Sequence, residues 1–470
     1  LLNFEQYASI AVVLAIISML GLYSTRLVKS SVDFIIGGKK LGAMMVWGGI
    51  VGAFAGGTVT VGTTQMAYQY GVSGIWFTLG AGMACLLIAL FLARPLREKN
   101  VETVSQFLSG FYGSKVGPWV ALFIAAGMFI QLTVQMLASV PLLTSMFPFS
   151  VFSGLALFGL FALALILGGG FMGAALVGMF KLLLMVVTLF VAGAMSWALL
   201  GGLDGLAGRF QPVPWFSLFP RGVLRELAGG MSVVVGFIST QSFIQPVFAG
   251  KDVRAARAGS LLAAVFLPCF GLAGVIIGLY MRSAHPGIDP AAALPLFMIL
   301  HQPAWIGGVG VATLLLSLAM TASALALGVS TLFCRDLYPL VRPAAGDREQ
   351  LVVARLVLLV VVALACVVSF NLLGDLILDW TYLSNALRGV TVFLPLVGAV
   401  FLYGRLLPGV GVWAVTLPPL FTLAWAIFSP GGIHPLYIGL PVSFLIMAAG
   451  IIIPRAGGGR GGFGKTTKSL

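Results

Sequence analysis

Runs of about 20 predominantly apolar residues recur along nearly the whole chain, with polar residues gathered in the short stretches between them. Runs of that length predict helices that cross a bilayer, because only a helix satisfies its own backbone hydrogen bonds in hydrocarbon. Thirteen spans are expected, at residues 6–25, 44–70, 73–93, 118–145, 150–168, 173–200, 227–249, 259–281, 305–333, 351–370, 376–402, 408–428 and 435–454. The second span breaks the pattern: Gly48 to Gly71 reads GGIVGAFAGGTVTVGTTQMAYQYG, glycine-rich with a polar centre of Thr58, Thr60, Thr63, Thr64 and Gln65. Such a segment is expected to unwind, and unwound backbone at membrane depth has to be buried in protein or line a cavity. Freed carbonyls of this kind coordinate cations in secondary transporters.

Composition agrees with the pattern. Hydrophobic residues make up 60% of the 470 and charged ones 8%, and mean hydropathy is +1.09, so the chain is an all-α integral membrane protein. The first span lacks a basic leader and a cleavage site and reads as a retained helix. The net charge of +13 is a topology signal rather than a nucleic-acid footprint. With the N-terminus outside, twenty of the 26 basic residues fall on the inner side, and only Arg209, Arg221, Arg225 and Arg282 fall outside. The C-terminus is then cytoplasmic, in a plasma (inner) membrane, with residues 455–470 forming a basic, glycine-rich tail.

Several chemistries are disfavoured. Cys85, Cys269, Cys334 and Cys366 have no CxxC spacing, and His285, His301 and His434 lie in or beside outer loops, so neither a metal cluster nor a catalytic triad assembles and no enzyme is expected. Gly459 to Thr466, GRGGFGKT, matches a phosphate-loop pattern. No strand precedes it and only four residues follow, so it is rejected.

Residues 44–200 and 227–402 each hold five spans, entering the membrane from opposite sides, between an N-terminal extra segment (1–43) and two C-terminal helices (403–454). The first span of the second unit is interrupted too, at Gly236, Thr240, Gln241, Gln245 and Pro246. Paired interruptions in inverted halves point to a site between the repeats. Close helix packing through glycine is the structural alternative.

With these features in view, the chain resembles the sodium/solute symporters, whose members carry proline, pantothenate, sialic acid, sugars or monocarboxylates. The likeness lies in FIIGGKKL (34–41), AYQYG (67–71), ARPLREKNVETVSQFLSGFYG (93–113), QSFIQPVFAGKDVRAARA (241–258), TASALALGVSTLFCRDLY (321–338) and Pro395. It implies thirteen helices, an inverted five-plus-five core of the LeuT type, and alternating access around a midplane site. It also implies a sodium site at Gly52 and Ala55 on the first broken span and at Ser317, Met320 and Thr321 on span 9. Met320 departs from the usual serine, and a thioether is a poor partner for a hard cation. After Gly169 and Gly170 the family's Thr-Asp and following Gln are replaced by Val177, Gly178 and Lys181.

Lys181 lies about 16 Å past that turn at 1.5 Å per residue, and Arg388 about 18 Å into span 11, so both are near mid-membrane. No acid accompanies them; Asp375 and Asp379 sit towards the outer end of span 11. An unpaired central cation costs about 3 kcal/mol on insertion scales. Arg388 is expected to face the cavity and meet an anionic solute. Lys181 is expected to place its ammonium in the residual sodium site, by analogy with proton-coupled transporters of the same repeat fold. The residues also allow Lys181 as a structural pin to Gln131, Gln135 or a carbonyl, and Arg388 in a watery vestibule.

The positions that are polar in sugar-carrying relatives read Val59, Val233, Gly236 and Phe237, which disfavours a sugar. Gln65, Phe237, Thr240, Gln241, Gln245, Ser384, Asn385 and Arg388 suit a small carboxylate with an apolar body. The function expected is a secondary active transporter without a cofactor, coupled to sodium or to protons, a monomer being sufficient. An uncoupled facilitator, a nutrient sensor, for which only sixteen residues follow Pro454, and a channel are the other readings.

Overall fold

The computed structural model describes residues 2–25, 41–99, 101, 103–167, 170–402, 405–407, 409–429 and 433–452. Gly169, most of the 34–41 motif and the 455–470 tail, with its phosphate-loop-like sequence, lie outside these residues. Each of the thirteen predicted spans carries a helix or a broken helix. The main ones are α1 Phe4–Thr25, α2 Ala43–Phe54, α3 Thr63–Tyr70, α4 Trp76–Leu87, α5 Val104–Tyr112, α6 Val116–Met146, α7 Val151–Leu167 and α8 Gly170–Leu200. They continue with α9 Val223–Ile238, α10 Gln241–Phe248, α11 Val253–Ala284, α12 Ala304–Leu332, α13 Asp347–Phe370, α14 Ile377–Phe401, α15 Val410–Phe428 and α16 Leu436–Ile452. Eight helical stretches among the described residues are long and apolar enough to cross a membrane, or nine with the bent pair α9/α10 taken as one. Other apolar helices, Ala43–Phe54 and Leu436–Ile452 among them, are shorter.

Lipid tails are as apolar as leucine, so helices in a bilayer associate through close packing and hydrogen bonds rather than by escaping water. Small residues supply the close packing. A Cβ on Gly271 of α11 would stand 1.8 Å from Thr78 Oγ1 of α4, and one on Gly278 would stand 2.7 Å from the Thr64 carbonyl of α3. α11 therefore lies flush against the broken second span and the third. Asp252 caps its start by accepting the Ala255 amide at 2.6 Å. At the other end of α3 the chain reverses at Gly71, where φ is +70°, and a Cβ there would lie 2.1 Å from the Trp215 carbonyl oxygen.

α12 is the most enclosed helix, with 89% of its apolar stretch buried, whereas α13 has 17% and forms part of the periphery. α6 and α14 are each 72% buried and flank α12 and α9. The two broken spans are joined at one end by backbone: Leu41 donates to Ala249 at 3.0 Å, and Lys251 donates to Leu41 at 2.8 Å. Arg97 donates to the Gly250 carbonyl beside them.

Candidate cation and solute site

The first break follows from two adjacent glycines. α2 ends at Phe54, the Ala55 amide closes on Val51 at 2.8 Å, and a wide helical turn over Thr58–Gly62 leads into α3. A Cβ on Gly57 would come 2.1 Å from Leu318 Cδ2, and one on Gly56 would come 2.7 Å from Thr321 Oγ1, so the break lies directly on α12. The last carbonyls of a helix lack intrahelical donors and need others. Here the others are side chains. Ser317 donates to the Ala55 carbonyl at 2.6 Å, and Thr321 donates to it at 3.4 Å.

Lys181 completes the group. Its Nζ donates to the Gly52 carbonyl at 2.9 Å and to Thr321 Oγ1 at 3.2 Å, and the side chain is 1% exposed. Gly52, Ala55, Ser317 and Thr321, four of the five residues that the resemblance implies for a sodium site, thus share one hydrogen-bonded cluster with the lysine. Met320 lines the adjacent cavity. Gln131 and Gln135 do not receive Lys181. Gln135 accepts the freed Gly57 amide at 2.8 Å, and both glutamines donate to Thr58, at 3.0 Å from Gln131 and 3.3 Å from Gln135. Sequence reasoning offered these two as partners for the lysine; their i, i+4 spacing on an apolar helix was the signal that they serve the break.

The second break lies between Ile238 and Gln241, where Thr240 takes an extended conformation and α9 and α10 meet at 45°. Arg388 is fully buried against it. Its guanidinium donates to Thr240 Oγ1 at 2.6 Å, Asn385 Oδ1 at 2.8 Å, Ser384 Oγ at 3.0 Å and the Ser384 carbonyl at 3.1 Å. These protein oxygens take four of the five N–H donors of Arg388, which lines neither cavity described below. No ion pair among the described residues includes Lys181 or Arg388. Asp379 instead pairs with Arg221 at 2.9 Å and Arg225 at 2.8 Å, and Glu226 pairs with Arg221 at 2.8 Å.

Two cavities adjoin the breaks. The wider, about 160 Å³, is lined by Gly52, Lys181, Gln241, Gln245 and Met320 among others, and so reaches the lysine. The smaller, about 20 Å³, is walled by Phe54, Phe77, Phe237 and Phe243 with Thr58 and Asn385. Its volume is that of roughly one water. The rings pack tightly, with Phe237 stacked on Phe243 at 4.4 Å and Phe54 on Phe77 at 4.8 Å.

The eight expected solute residues consequently divide. Phe237 and Asn385 face the smaller cavity, and Gln241 and Gln245 the wider one. Gln65, Thr240, Ser384 and Arg388 line neither, and each has a local partner: Gln65 accepts the Ile377 amide at 3.1 Å, and Ser384 donates to the Gly127 carbonyl at 2.6 Å. Phe54, Phe77 and Phe243 were not anticipated, since phenylalanine in a membrane span carries no distinguishing signal in sequence.

Comparison with known proteins places this geometry. The chain is 23% identical over 399 residues to the human high affinity choline transporter 1, covering 79% of this chain and 67% of that one. It is 22% identical to the sodium/pantothenate symporter of Haemophilus influenzae, covering 72% and 73%. It is 24% identical to the bovine sodium/myo-inositol cotransporter 2, of which it spans 63%. Among solved structures, a sodium-coupled sialic acid symporter superposes with a TM-score of 0.80 at 16% identity, over 96% of this chain and 97% of that one. Mhp1, a nucleobase-cation-symport-1 family transporter, superposes with a TM-score of 0.57 at 12% identity, over 88% and 93%. The fold is thus the LeuT type, in a multi-pass membrane protein. A family model described as the sodium:solute symporter family matches residues 34–404, and this chain, a transporter by family rather than an enzyme, belongs to that family.

Proposed function

We propose that the protein is a secondary active transporter of a small organic solute in which the Lys181 ammonium occupies the cation cradle of the first break, so that protons do the coupling work. The observation that carries this reading is the placement of Lys181 Nζ on Gly52 and Thr321, at 2.9 and 3.2 Å. A protonated lysine there links α8 to the broken span and to α12 by charge-assisted bonds. Loss of the proton removes the charge and loosens that link. The wider cavity reaches Lys181 and gives a proton a route to it from one side, as alternating access requires.

A small carboxylate with an apolar body is the favoured solute. Both charged groups at the breaks, Lys181 and Arg388, are cationic, and the nearby acids are engaged by Arg221 and Arg225. The interior therefore carries a positive potential that attracts anions and repels cations. The phenylalanine walls accommodate the apolar body.

Sodium coupling is the second reading. It is favoured by the family and by the retained Ala55 carbonyl with its Ser317 hydroxyl. Uptake into proteoliposomes under an imposed pH gradient, compared with an imposed sodium gradient, separates the two. Proton coupling predicts accumulation driven by pH alone and abolished in Lys181→Ala. Uptake that needs sodium in both the parent protein and Lys181→Ala overturns it.

A further inference from the structure

Lys181 and Arg388 occupy corresponding places in the inverted repeat. Lys181 stands eleven residues past the first residue of α8, the fifth span of the first repeat, and Arg388 stands eleven residues past the first residue of α14, the fifth span of the second. Each reaches the break of its own repeat's first span: Lys181 the Gly52 carbonyl of α2, and Arg388 the Thr240 hydroxyl between α9 and α10. Each also touches the third span of the opposite repeat. Lys181 donates to Thr321 on α12. Arg388 lies against Gly127 on α6, where a Cβ would come 2.5 Å from Arg388 Cγ, and the Gly127 carbonyl accepts from Ser384.

The surroundings match in kind as well as in place. Four oxygens receive the guanidinium, two hydroxyls, an amide oxygen and a carbonyl, and no carboxylate is among them. Three of these oxygens belong to α14 itself and the fourth to the break at Thr240, and neutral oxygens gathered around one positive charge are the kind of ligand set that a monovalent cation takes.

We propose that Arg388 is a second tethered cation, the repeat-related counterpart of Lys181, which fills a monovalent-cation site in the second repeat and positions the break at Thr240. Arginine keeps its proton under all working conditions, so this charge stays in place while the one on Lys181 can come and go. The two breaks then have different duties: the first exchanges its cation, and the second is held. The inference rests on the proposed reading only in taking Lys181 as the first tethered cation, and the test below does not depend on coupling.

The test is thermal unfolding of purified protein in detergent, with choline chloride keeping ionic strength constant while low-millimolar guanidinium or sodium is varied. Arg388→Ala is expected to melt several degrees lower than the parent and to regain at least half of that loss with guanidinium, and part of it with sodium. The parent and Lys181→Ala are expected not to respond to guanidinium. Arg388→Lys, which keeps a tethered charge, is expected to melt close to the parent. A melting temperature in Arg388→Ala equal to the parent's, or one that guanidinium does not raise, overturns the proposal. Should Arg388→Ala yield no folded protein, Arg388→Lys and Thr240→Val decide. A folded Arg388→Lys with lowered melting in Thr240→Val supports the site, whereas an unfolded Arg388→Lys or unchanged melting in Thr240→Val overturns it.

Discussion

The ammonium of Lys181 stands 2.9 Å from the carbonyl oxygen of Gly52, a residue 129 positions earlier in the chain. A helix break exposes that carbonyl, a lysine near the middle of another span meets it, and the two irregularities resolve each other. Each would be unfavourable alone, since hydrocarbon supplies partners neither to a free carbonyl nor to a charge.

Thr321 stands at the centre of this arrangement, accepting from Lys181 and donating towards Ala55. Thr321→Val keeps the shape and removes both roles. We expect roughly a tenfold or greater fall in solute uptake, with a stability loss of about 1–3 kcal/mol from groups left unpaired. Thr321→Ser is expected to retain most of the uptake, and parallel uptake and thermal-unfolding assays check both.

Gly57 has no room for a side chain. A Cβ would lie 2.1 Å from Leu318 Cδ2 and 2.8 Å from the Ala138 Cβ, so Gly57→Ala should destabilise by about 1–3 kcal/mol or more through overpacking. Chemical denaturation in mixed micelles, with the helical signal as readout, gives the figure. Leu318→Ala in the same chain is expected to restore part of the loss.

At the opposite end of α14, Arg221 joins Glu226 and Asp379 in one network, with the Arg221 and Glu226 side chains 5% and 0% exposed. Arg221→Gln leaves the Glu226 carboxylate buried without its cation, which typically destabilises by about 3–5 kcal/mol. The double variant Arg221→Met with Glu226→Met should be more stable than Arg221→Gln, because it removes both buried charges. Melting temperatures of the two variants settle the order.

His434, in the loop before α16, gives the protein a pH dependence of known sign. Burial pushes its imidazole down to about 4 from the ordinary 6.5, the Asp379 carboxylate opposes that shift, and the Arg225 and Arg221 guanidiniums add to it. The folded state thus binds this proton less readily than the unfolded chain. Its contribution to stability is full above about pH 6.5 and declines as pH falls towards 4, by up to about 3 kcal/mol. Melting curves between pH 7 and pH 4 should show the decline in the parent, and a shallower one in His434→Gln.

Much of the architecture was legible because the bilayer restricts the choices. Apolar runs of spanning length have to be helices, and the spans correspond to helices throughout the described residues. The Gly-Thr content of 48–71 marked the first break, whereas the second falls at Ser239–Thr240, with Gly236 inside α9 and Pro246 inside α10, so the Gly236–Pro246 interruption gave the segment and not the point of breakage. Gly52, Ala55, Ser317 and Thr321 came from the resemblance to the family and Lys181 from its lack of an acidic partner; the structure joins them by hydrogen bonds.

Side-chain direction was not legible. For Arg388 a depth can be reckoned from rise per residue, whereas whether its guanidinium meets the Thr240 hydroxyl depends on the rotation of α14 against α9. The polarity of Gln65 and Ser384 likewise signals a need for partners without saying whether solute or backbone supplies them, and here backbone groups do. The sequence by itself determined a multi-pass helical membrane protein with two interrupted spans and two cations within spans, because those features are local and the membrane enforces them, and its resemblance to the symporters supplied the transporter. Only the tertiary structure decided that Lys181 takes the Gly52 carbonyl and the Thr321 hydroxyl and that Arg388 takes the Thr240 hydroxyl, because those contacts join residues more than a hundred positions apart through helix packing.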